Sequence, residues 1–195
     1  MMEYLENLLK TESFETAVDS LIHEFRNKYE LPTINQLGLV VADVEKAAEY
    51  LERKGIGPFF IGSGKLAFWY ERGERRSVKG KLGTAQYQGV ELELLEPTEG
   101  SDFYKDSLDP QGKIIVHHLA FLVEDVAYWV KRFEEEGFPV WIQGRINYGP
   151  LRIDFVYMDT ESETGYVIEF FSQRFFGLKW WPPAGFFRTL AKFQT

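Results

Sequence analysis

The chain has 195 residues, of which 45% are hydrophobic and 27% charged, a composition typical of one sizeable globular domain or two small halves. Its net charge of −8 argues against nucleic acid as the main partner, and the absence of cysteine excludes disulfides and thiolate metal sites. The N-terminus does not read as a signal peptide, and no apolar run reaches the roughly 20 residues of a membrane helix. We therefore expect a cytoplasmic protein with no membrane partner.

The segment 1–33 is predicted to be a helical extension. Apolar residues recur at three- and four-residue spacing from Leu5 to Phe25, which is typical of the buried face of a helix. Pro32 ends this segment.

Residues 34–97 show the pattern β-α-β-β-β. An apolar strand over 34–41 precedes Asp43, which stands where a helix N-cap belongs, and Gly55 is placed to end the helix. Strand-like runs follow over 58–61, 66–70, 79–87 and 90–95.

Residues 98–115 form a predicted linker that contains Gly, Ser, Asp and Pro. The segment 116–171 then repeats the earlier pattern. A strand over 116–123 leads to Asp125 as the helix cap and Gly137 as the helix end, and strands are predicted over 140–143, 151–158 and 166–171.

The tail, residues 172–195, lies outside both units and is crowded with large apolar side chains: Phe175, Phe176, Trp180, Trp181, Phe186, Phe187 and Phe193. So many of them indicate a lid or an association surface, with a short helix over 184–193. The alternative is that the tail packs on the N-terminal helix as ordinary core.

The two units are repeats of one sequence pattern. The stretch that begins Gln36-Leu-Gly-Leu-Val-Val-Ala-Asp43 matches the stretch that begins His118-Leu-Ala-Phe-Leu-Val-Glu-Asp125, at an offset of 82 residues. The last strands also match, with Glu93 and Glu169 at an offset of 76. Such a repeat predicts two βαβββ modules in an α+β fold with a curved mixed sheet.

Alternation along the strands places four polar residues on one concave face. The helix after each first strand needs an apolar face to pack on, and this leaves Gln36 and His118 on the other side of the sheet. Glu93 and Glu169 share that side. Two carboxylates that converge in a cavity are costly unless a cation lies between them, so the pattern predicts a metal site.

Other polar residues near these strands have less specific interpretations. His117 is predicted to face the helix, opposite to His118. Glu91 shares the face of Glu93 and reads as an exposed strand carboxylate, with a role as a base as the alternative. Arg145, Asn147 and Tyr148 are predicted to form a polar loop, which either holds an anionic substrate or is a plain turn.

These features resemble the vicinal oxygen chelate superfamily of glyoxalases, epimerases, extradiol dioxygenases and bleomycin-resistance proteins. The resemblance covers roughly residues 34–171, and its most specific part is Leu92-Glu-Leu-Leu-Glu-Pro97 followed by the strand from His117 to Asp125. That part is similar to methylmalonyl-CoA epimerases. Carried over by position, the family's metal ligands are Gln36, Glu93, His118 and Glu169. Epimerases commonly have His at the first of these positions, whereas Gln is similar to zinc-type glyoxalase I.

The resemblance implies a metal-dependent lyase or isomerase that removes a proton next to a carbonyl through a metal-stabilised enolate. Glu169 and Glu93 are the candidate catalytic bases, and the ligand set suits one divalent ion, with zinc, nickel, cobalt, manganese and iron(II) all open. A non-catalytic binding protein and an extradiol dioxygenase are the alternatives. The expected partner is a small-molecule substrate. A homodimer, and whether the modules pair within one chain or between two, stay open.

Overall fold

The computed structural model describes residues 3–63, 65–183 and 185–193. Within these residues, the N-terminal segment forms three short helices instead of the long helix that the sequence predicts. They are α1 (Leu5–Leu8), α2 (Phe14–Ser20) and α3 (His23–Lys28). Ser13 starts α2 by accepting a hydrogen bond from the amide of Thr16, and Ile22 leaves the helical conformation before α3. The predicted apolar stripe is nevertheless buried, with Leu5, Phe14, Val18 and Phe25 in the main core.

In the described residues of the first unit, the elements follow in the order β1 (Gln36–Val40), α4 (Val44–Glu52), β2 (Phe60–Gly62), β3 (Lys65–Glu71), β4 (Glu74–Arg75), β5 (Lys79–Tyr87) and β6 (Val90–Glu99). The second unit has the order β7 (Ile115–Leu122), α5 (Val126–Glu135), β8 (Val140–Tyr148), β9 (Leu151–Met158), α6 (Glu161–Thr164) and β10 (Val167–Phe175). The tail adds β11 (Leu178–Lys179) and α7 (Phe186–Ala191).

The strands form a single mixed sheet in the order β2-β5-β6-β1-β7-β10-β9-β8-β3-β4, with β11 paired to β10. The two units join through β1 and β7, which are antiparallel. They therefore pair within one chain. In each unit the first and last strands are parallel neighbours, so the repeat seen in the sequence is a repeat of the fold.

The strand β3 departs from the simple repeat, because it pairs with β8 of the second unit. Strands β2 and β3 follow each other along the chain, yet they lie close to opposite ends of the strand order. The sheet must therefore curl until its two ends approach each other. The hairpin of β3 and β4 also covers the edge of β8, which would otherwise expose unpaired backbone groups.

The two faces of the sheet have separate cores. Helices α4 and α5 cover the convex face, and their predicted caps are confirmed: Asp43 accepts from the amide of Lys46, and Asp125 accepts from the amide of Tyr128. The concave face carries a second, mostly aromatic cluster that includes Trp69, Phe155 and Tyr157. None of the described helices has both the length and the apolar composition of a membrane span.

The predicted linker is a packed segment of the concave side. Strand β6 runs on to Glu99, and a short 3₁₀ turn spans Lys105–Ser107. Just before this turn, Phe103 and Tyr104 are buried in the concave cluster. The segment therefore supplies side chains to the interior of the curled sheet.

Candidate metal and substrate site

The curled sheet encloses a cavity of about 850 Å³, which is within the usual range for small-molecule sites. Its polar lining includes Gln36, Glu91, Glu93 and Glu169. These residues come from β1, β6 and β10 at the centre of the sheet. Strand β7, which carries His118, lies between β1 and β10, and β6 is the next strand beyond β1. The four residues that the repeat singled out are thus carried by the four central strands.

The register of the strands explains why these side chains converge. In the two parallel ladders Gly38 lies beside Glu93, and Ala120 lies beside Glu169. In the antiparallel ladder between the units, Gly38 lies beside His118 and Gln36 beside Ala120. The same positions of the repeat therefore meet across a local twofold relation between β1 and β7. Small residues beside the two glutamates leave room for the larger side chains.

Three of the four predicted ligands form a tight cluster. The Nε2 atom of His118 lies 3.1 Å from Oε2 of Glu169 and 3.8 Å from Oε2 of Glu93, and one ligand atom from each residue lies within 4.8 Å of the others. Within the described part of the chain, Nε2 of His118 and Oε2 of Glu169 are buried and have no hydrogen-bond partner. Buried polar atoms are rarely left so, and a cation between these atoms would satisfy both.

Gln36 is buried beside this cluster but makes a different contact. Its amide nitrogen donates a hydrogen bond of 2.6 Å to the carboxylate of Glu91. The prediction that Glu91 is an exposed strand carboxylate is wrong, because this residue is 7% exposed and also accepts a hydrogen bond from Gln86. Burial raises the pKa of Glu91 to about 7, although both hydrogen bonds act to lower it. The side chain of Gln36 thus links the cluster to a third buried glutamate.

His117 lies on the concave side, so the prediction that it faces the helix is wrong. Strand β7 has a bulge at this residue, because Gly38 pairs with His118 while Leu39 pairs with Val116. The bulge breaks the alternation of side chains and turns the His117 ring toward Phe103, at a centroid distance of 4.8 Å. Its Nδ1 atom lies 3.2 Å from Nδ1 of His118. This contact uses the inner nitrogen of His118, while Nε2 faces the glutamates.

A pair of tyrosines also reaches the cluster, and sequence reasoning missed both of them. The hydroxyl of Tyr104 donates a hydrogen bond of 2.9 Å to the hydroxyl of Tyr157. Tyr157 in turn is hydrogen-bonded to the Glu169 carboxylate, which is its cross-strand neighbour. The alternation along β9 could have placed Tyr157 on the concave face. No local signal pointed to Tyr104.

Burial controls the charge of the cluster. It raises the pKa of Glu169 to about 8, against a smaller lowering by the hydrogen bond from Tyr157. Burial, followed by repulsion from Glu169 and Glu91, holds the pKa of Glu93 well above its ordinary range. Burial lowers the pKa of His118 to about 3. Near neutral pH the metal-free cluster therefore keeps a neutral imidazole and retains protons on its carboxyl groups, and a divalent cation would displace those protons.

The predicted polar loop at Arg145, Asn147 and Tyr148 is the end of strand β8. Arg145 forms an ion pair with Asp154 at 2.5 Å and lies in a separate groove, so it does not reach the cavity. Tyr148 lines the cavity. The two residues therefore point to different places.

The aromatic tail covers part of the cavity. Trp180, Phe186, Phe187 and Leu190 line it, and α7 contacts β2 and β5. The alternative that the tail packs on the N-terminal helices is wrong, because those helices belong to the core of the convex face. The predicted helix over 184–193 is confirmed over Phe186–Ala191, and its predicted first residue, Ala184, lies outside the described residues.

The sequence from residue 35 to residue 157 matches the model of the glyoxalase/bleomycin resistance protein/dioxygenase superfamily. A comparison with curated proteins found no match. Among solved structures, a methylmalonyl-CoA epimerase in complex with methylmalonyl-CoA and NH4+ is 18% identical, with a TM-score of 0.48, over 71% of this chain and 92% of that one.

Two further epimerase structures are similar to a comparable degree. A variant of the Streptomyces coelicolor methylmalonyl-CoA epimerase in complex with 2-nitronate-propionyl-CoA is 18% identical, with a TM-score of 0.49, over 72% of this chain and 94% of that one. The methylmalonyl-CoA epimerase from Mycobacterium tuberculosis is 17% identical, with a TM-score of 0.45, over 70% and 85% of the two chains.

Proposed function

The chain belongs to the glyoxalase/bleomycin resistance protein/dioxygenase superfamily, and on that premise we propose that it is a metal-dependent lyase or isomerase. The reaction begins with removal of a proton from the carbon next to a carbonyl group. The observation that carries the proposal is the buried meeting of His118, Glu93 and Glu169, in which Nε2 of His118 and Oε2 of Glu169 lack a hydrogen-bond partner among the described residues.

His118, Glu93 and Glu169 would hold the metal, with Gln36 as the weakest ligand. One imidazole, two carboxylates and an amide oxygen contain no soft donor, so the set suits zinc, nickel, cobalt, manganese or iron(II). A divalent ion held there would supply Lewis acidity for a carbonyl oxygen. The amide nitrogen of Gln36 is turned to Glu91, which leaves its carbonyl oxygen as the atom for the ion.

Glu169 is the proposed base. The C–H bond next to the carbonyl breaks, its proton moves to the Glu169 carboxylate, and the electron pair remains on the substrate as an enolate. Burial acts to raise the pKa of the Glu169 carboxyl group, whereas a bound cation would act to lower it, and a carboxylate under both influences suits a base that works near neutral pH. Tyr157 holds the carboxylate through its hydrogen bond.

Glu93 is the proposed second proton carrier. Its carboxylate comes from β6 on one side of His118, whereas Glu169 comes from β10 on the other side. Two carboxyl groups on opposite sides of a planar enolate can take a proton from one face and return it to the other, or pass it to a neighbouring carbon. The first outcome is epimerisation and the second is isomerisation.

The test is exchange of the proton next to the carbonyl in deuterated water, since exchange does not need complete turnover. The purified protein is reconstituted with each metal in turn and offered thioesters, hemithioacetals and simple ketones. We expect exchange by the wild-type protein and none by Glu169→Gln, including when metal is still bound. Glu99→Gln is the matched control, because Glu99 lines the same cavity but pairs with Lys79 outside the cluster.

The outcomes separate the candidate functions. A catechol that consumes oxygen with iron(II), without proton exchange on any carbonyl compound, would establish an extradiol dioxygenase instead. Failure to bind any of the five metals would leave a non-catalytic small-molecule binding protein. The large cavity with mostly apolar walls favours that second candidate over the dioxygenase.

A further inference from the structure

Much of the cavity wall is apolar. Side chains from the β3 hairpin, from the second unit and from the tail contribute to what we call the apolar wall: Leu66, Trp69, Ile153, Phe155, Phe186 and Leu190. None of these six residues carries a charge. A ligand that fills this space must remove a large apolar surface from water, which is the main source of affinity in such sites.

The charged groups of the lining disfavour an anionic ligand. The two cations among the described lining residues are already paired: Lys79 with Glu99 at 2.8 Å and Lys81 with Glu45 at 3.0 Å. The described lining also includes the glutamates Glu91, Glu93, Glu96, Glu99 and Glu169. A phosphate or carboxylate on a ligand would find no unpaired cation among the described lining residues and would lie close to several acidic side chains.

Three uncharged polar groups of the lining are buried and lack partners among the described residues. They are the Nε1 atom of Trp69, the hydroxyl of Tyr148 and the Oε1 atom of Gln173. Trp69 is 4% exposed and Gln173 is 7% exposed. The indole can only donate a hydrogen bond, the amide oxygen can only accept one, and the hydroxyl can do both. Buried polar groups normally have partners, so these three are suited to a ligand with its own acceptor and donor.

We propose that the substrate is an uncharged, largely apolar carbonyl compound that carries at least one hydroxyl or amide donor. The apolar wall would hold its body, and Trp69, Tyr148 and Gln173 would fix its polar groups. That the substrate contains a carbonyl group rests on the proposed function. That it is apolar and uncharged is inferred from the cavity alone. Coenzyme A thioesters and glutathione adducts, which carry phosphates or carboxylates, are disfavoured.

The first test is binding of Nile red, an uncharged apolar fluorophore, to the full chain, followed by its displacement. Hydroxylated aryl ketones should displace the dye at concentrations at least about tenfold lower than methylmalonyl-CoA or S-lactoylglutathione, a factor that corresponds to one lost polar interaction. Equal or better displacement by either anionic compound would overturn the proposal.

Variants test the assignment to the cavity. Leu190→Asp puts a charge into the apolar wall and should weaken dye binding at least tenfold. Phe176→Asp is the matched control in the same tail, because Phe176 is 77% exposed and does not line the cavity. Gln173→Leu keeps the shape of the side chain but removes its acceptor, so dye binding should persist while hydroxylated ketones bind about tenfold more weakly than to wild type. Identical binding by all three variants would contradict the proposal.

His118→Ala separates this inference from the proposed function. The variant should lose metal and proton exchange but keep dye binding, because His118 is fully buried and does not belong to the apolar wall. If the wild-type protein binds dye and hydroxylated ketones without metal-dependent exchange, the proposed function fails and the ligand class stands. If exchange occurs with a thioester while the uncharged ketones neither bind nor exchange, the ligand class fails and the proposed function stands.

Discussion

The imidazole of His118 lies where the side chain of Gly38 would be if that residue were not glycine. The two residues are direct neighbours in the antiparallel ladder between the two units. A Cβ atom built on Gly38 would overlap the ring of His118. The absence of a side chain at residue 38 therefore lets the ring rest on the backbone of β1, with Nε2 directed at Glu169.

Gly38→Ala should weaken metal binding by about 10- to 100-fold, the usual cost of disturbing the support of a metal ligand. The methyl group would push the His118 ring away from both glutamates, while the pairing of β1 and β7 can persist. Isothermal titration with zinc or nickel measures the effect. Gly62→Ala is the control, because a Cβ there meets only Phe60 at an ordinary distance of 3.5 Å. Wild-type affinity in Gly38→Ala would contradict this prediction.

His118→Ala and Glu169→Ala should each weaken metal binding more than Gln36→Ala. An imidazole or a carboxylate is a stronger ligand than an amide oxygen, and the amide of Gln36 is also engaged with Glu91. Elemental analysis after reconstitution, together with titration, gives the order of the three variants. Glu99→Ala should bind like wild type, since Glu99 makes an exposed ion pair with Lys79. A larger loss in Gln36→Ala than in His118→Ala would refute the assignment.

The metal-free protein should lose stability as the pH rises from about 6.5 to 8. The pKa of Glu169 is raised to about 8 by burial, so the folded state keeps a proton that the unfolded state has already released. Each such group lowers the free energy of unfolding by at most about 1.4 kcal/mol per pH unit over this window. His117 and His118, whose pKa values are lowered to about 3, change stability only below about pH 6.5.

Urea unfolding with a chelator present, at pH 6.5 and pH 8, measures this loss. Glu169→Gln, which cannot titrate, should show a smaller loss than wild type. Bound metal should reduce the loss as well, because it keeps the carboxylates ionised in the folded state. A metal-free protein that becomes more stable toward pH 8 would contradict the pKa shifts.

Tyr157→Phe should raise the pKa of Glu169 further. The variant removes a hydrogen bond that lowers this pKa, and one hydrogen bond is worth up to about one pH unit. Metal titrations at several pH values give the pH midpoint for metal binding, and this midpoint should move upward. Tyr104→Phe is the matched variant and should have a smaller effect, because the hydroxyl of Tyr104 donates its hydrogen bond to Tyr157. A downward shift in Tyr157→Phe would argue against this hydrogen bond.

Phe170→Ala should destabilise the protein by about 3–5 kcal/mol, as is usual when a buried aromatic side chain is removed. The Phe170 ring is fully buried, stacks on Trp129 at 5.3 Å and meets Phe133 edge-on at 4.9 Å. Phe193→Ala, at a residue that is 84% exposed, should change the free energy of unfolding by less than about 0.5 kcal/mol. Chemical denaturation of the two variants gives the comparison.

The repeat in the sequence was sufficient to predict the two modules and the convergence of His118, Glu93 and Glu169. Both follow from local rules, since side chains alternate along a strand and equivalent positions of a repeat occupy equivalent places. The caps Asp43 and Asp125 follow from rules of the same kind. Metal binding by these residues stays a prediction.

Tertiary structure alone decided the features that depend on contacts between distant segments. The bulge at His117 arises where β1 and β7 pair, and no pattern within β7 shows it. Likewise β3 leaves its own unit to cover the edge of β8, and Tyr104 reaches Tyr157 across 53 positions of the chain. The register of pairing and the filling of a cavity are settled by the packing of the whole sheet. A single strand, with two faces and many pairing partners available, does not specify them.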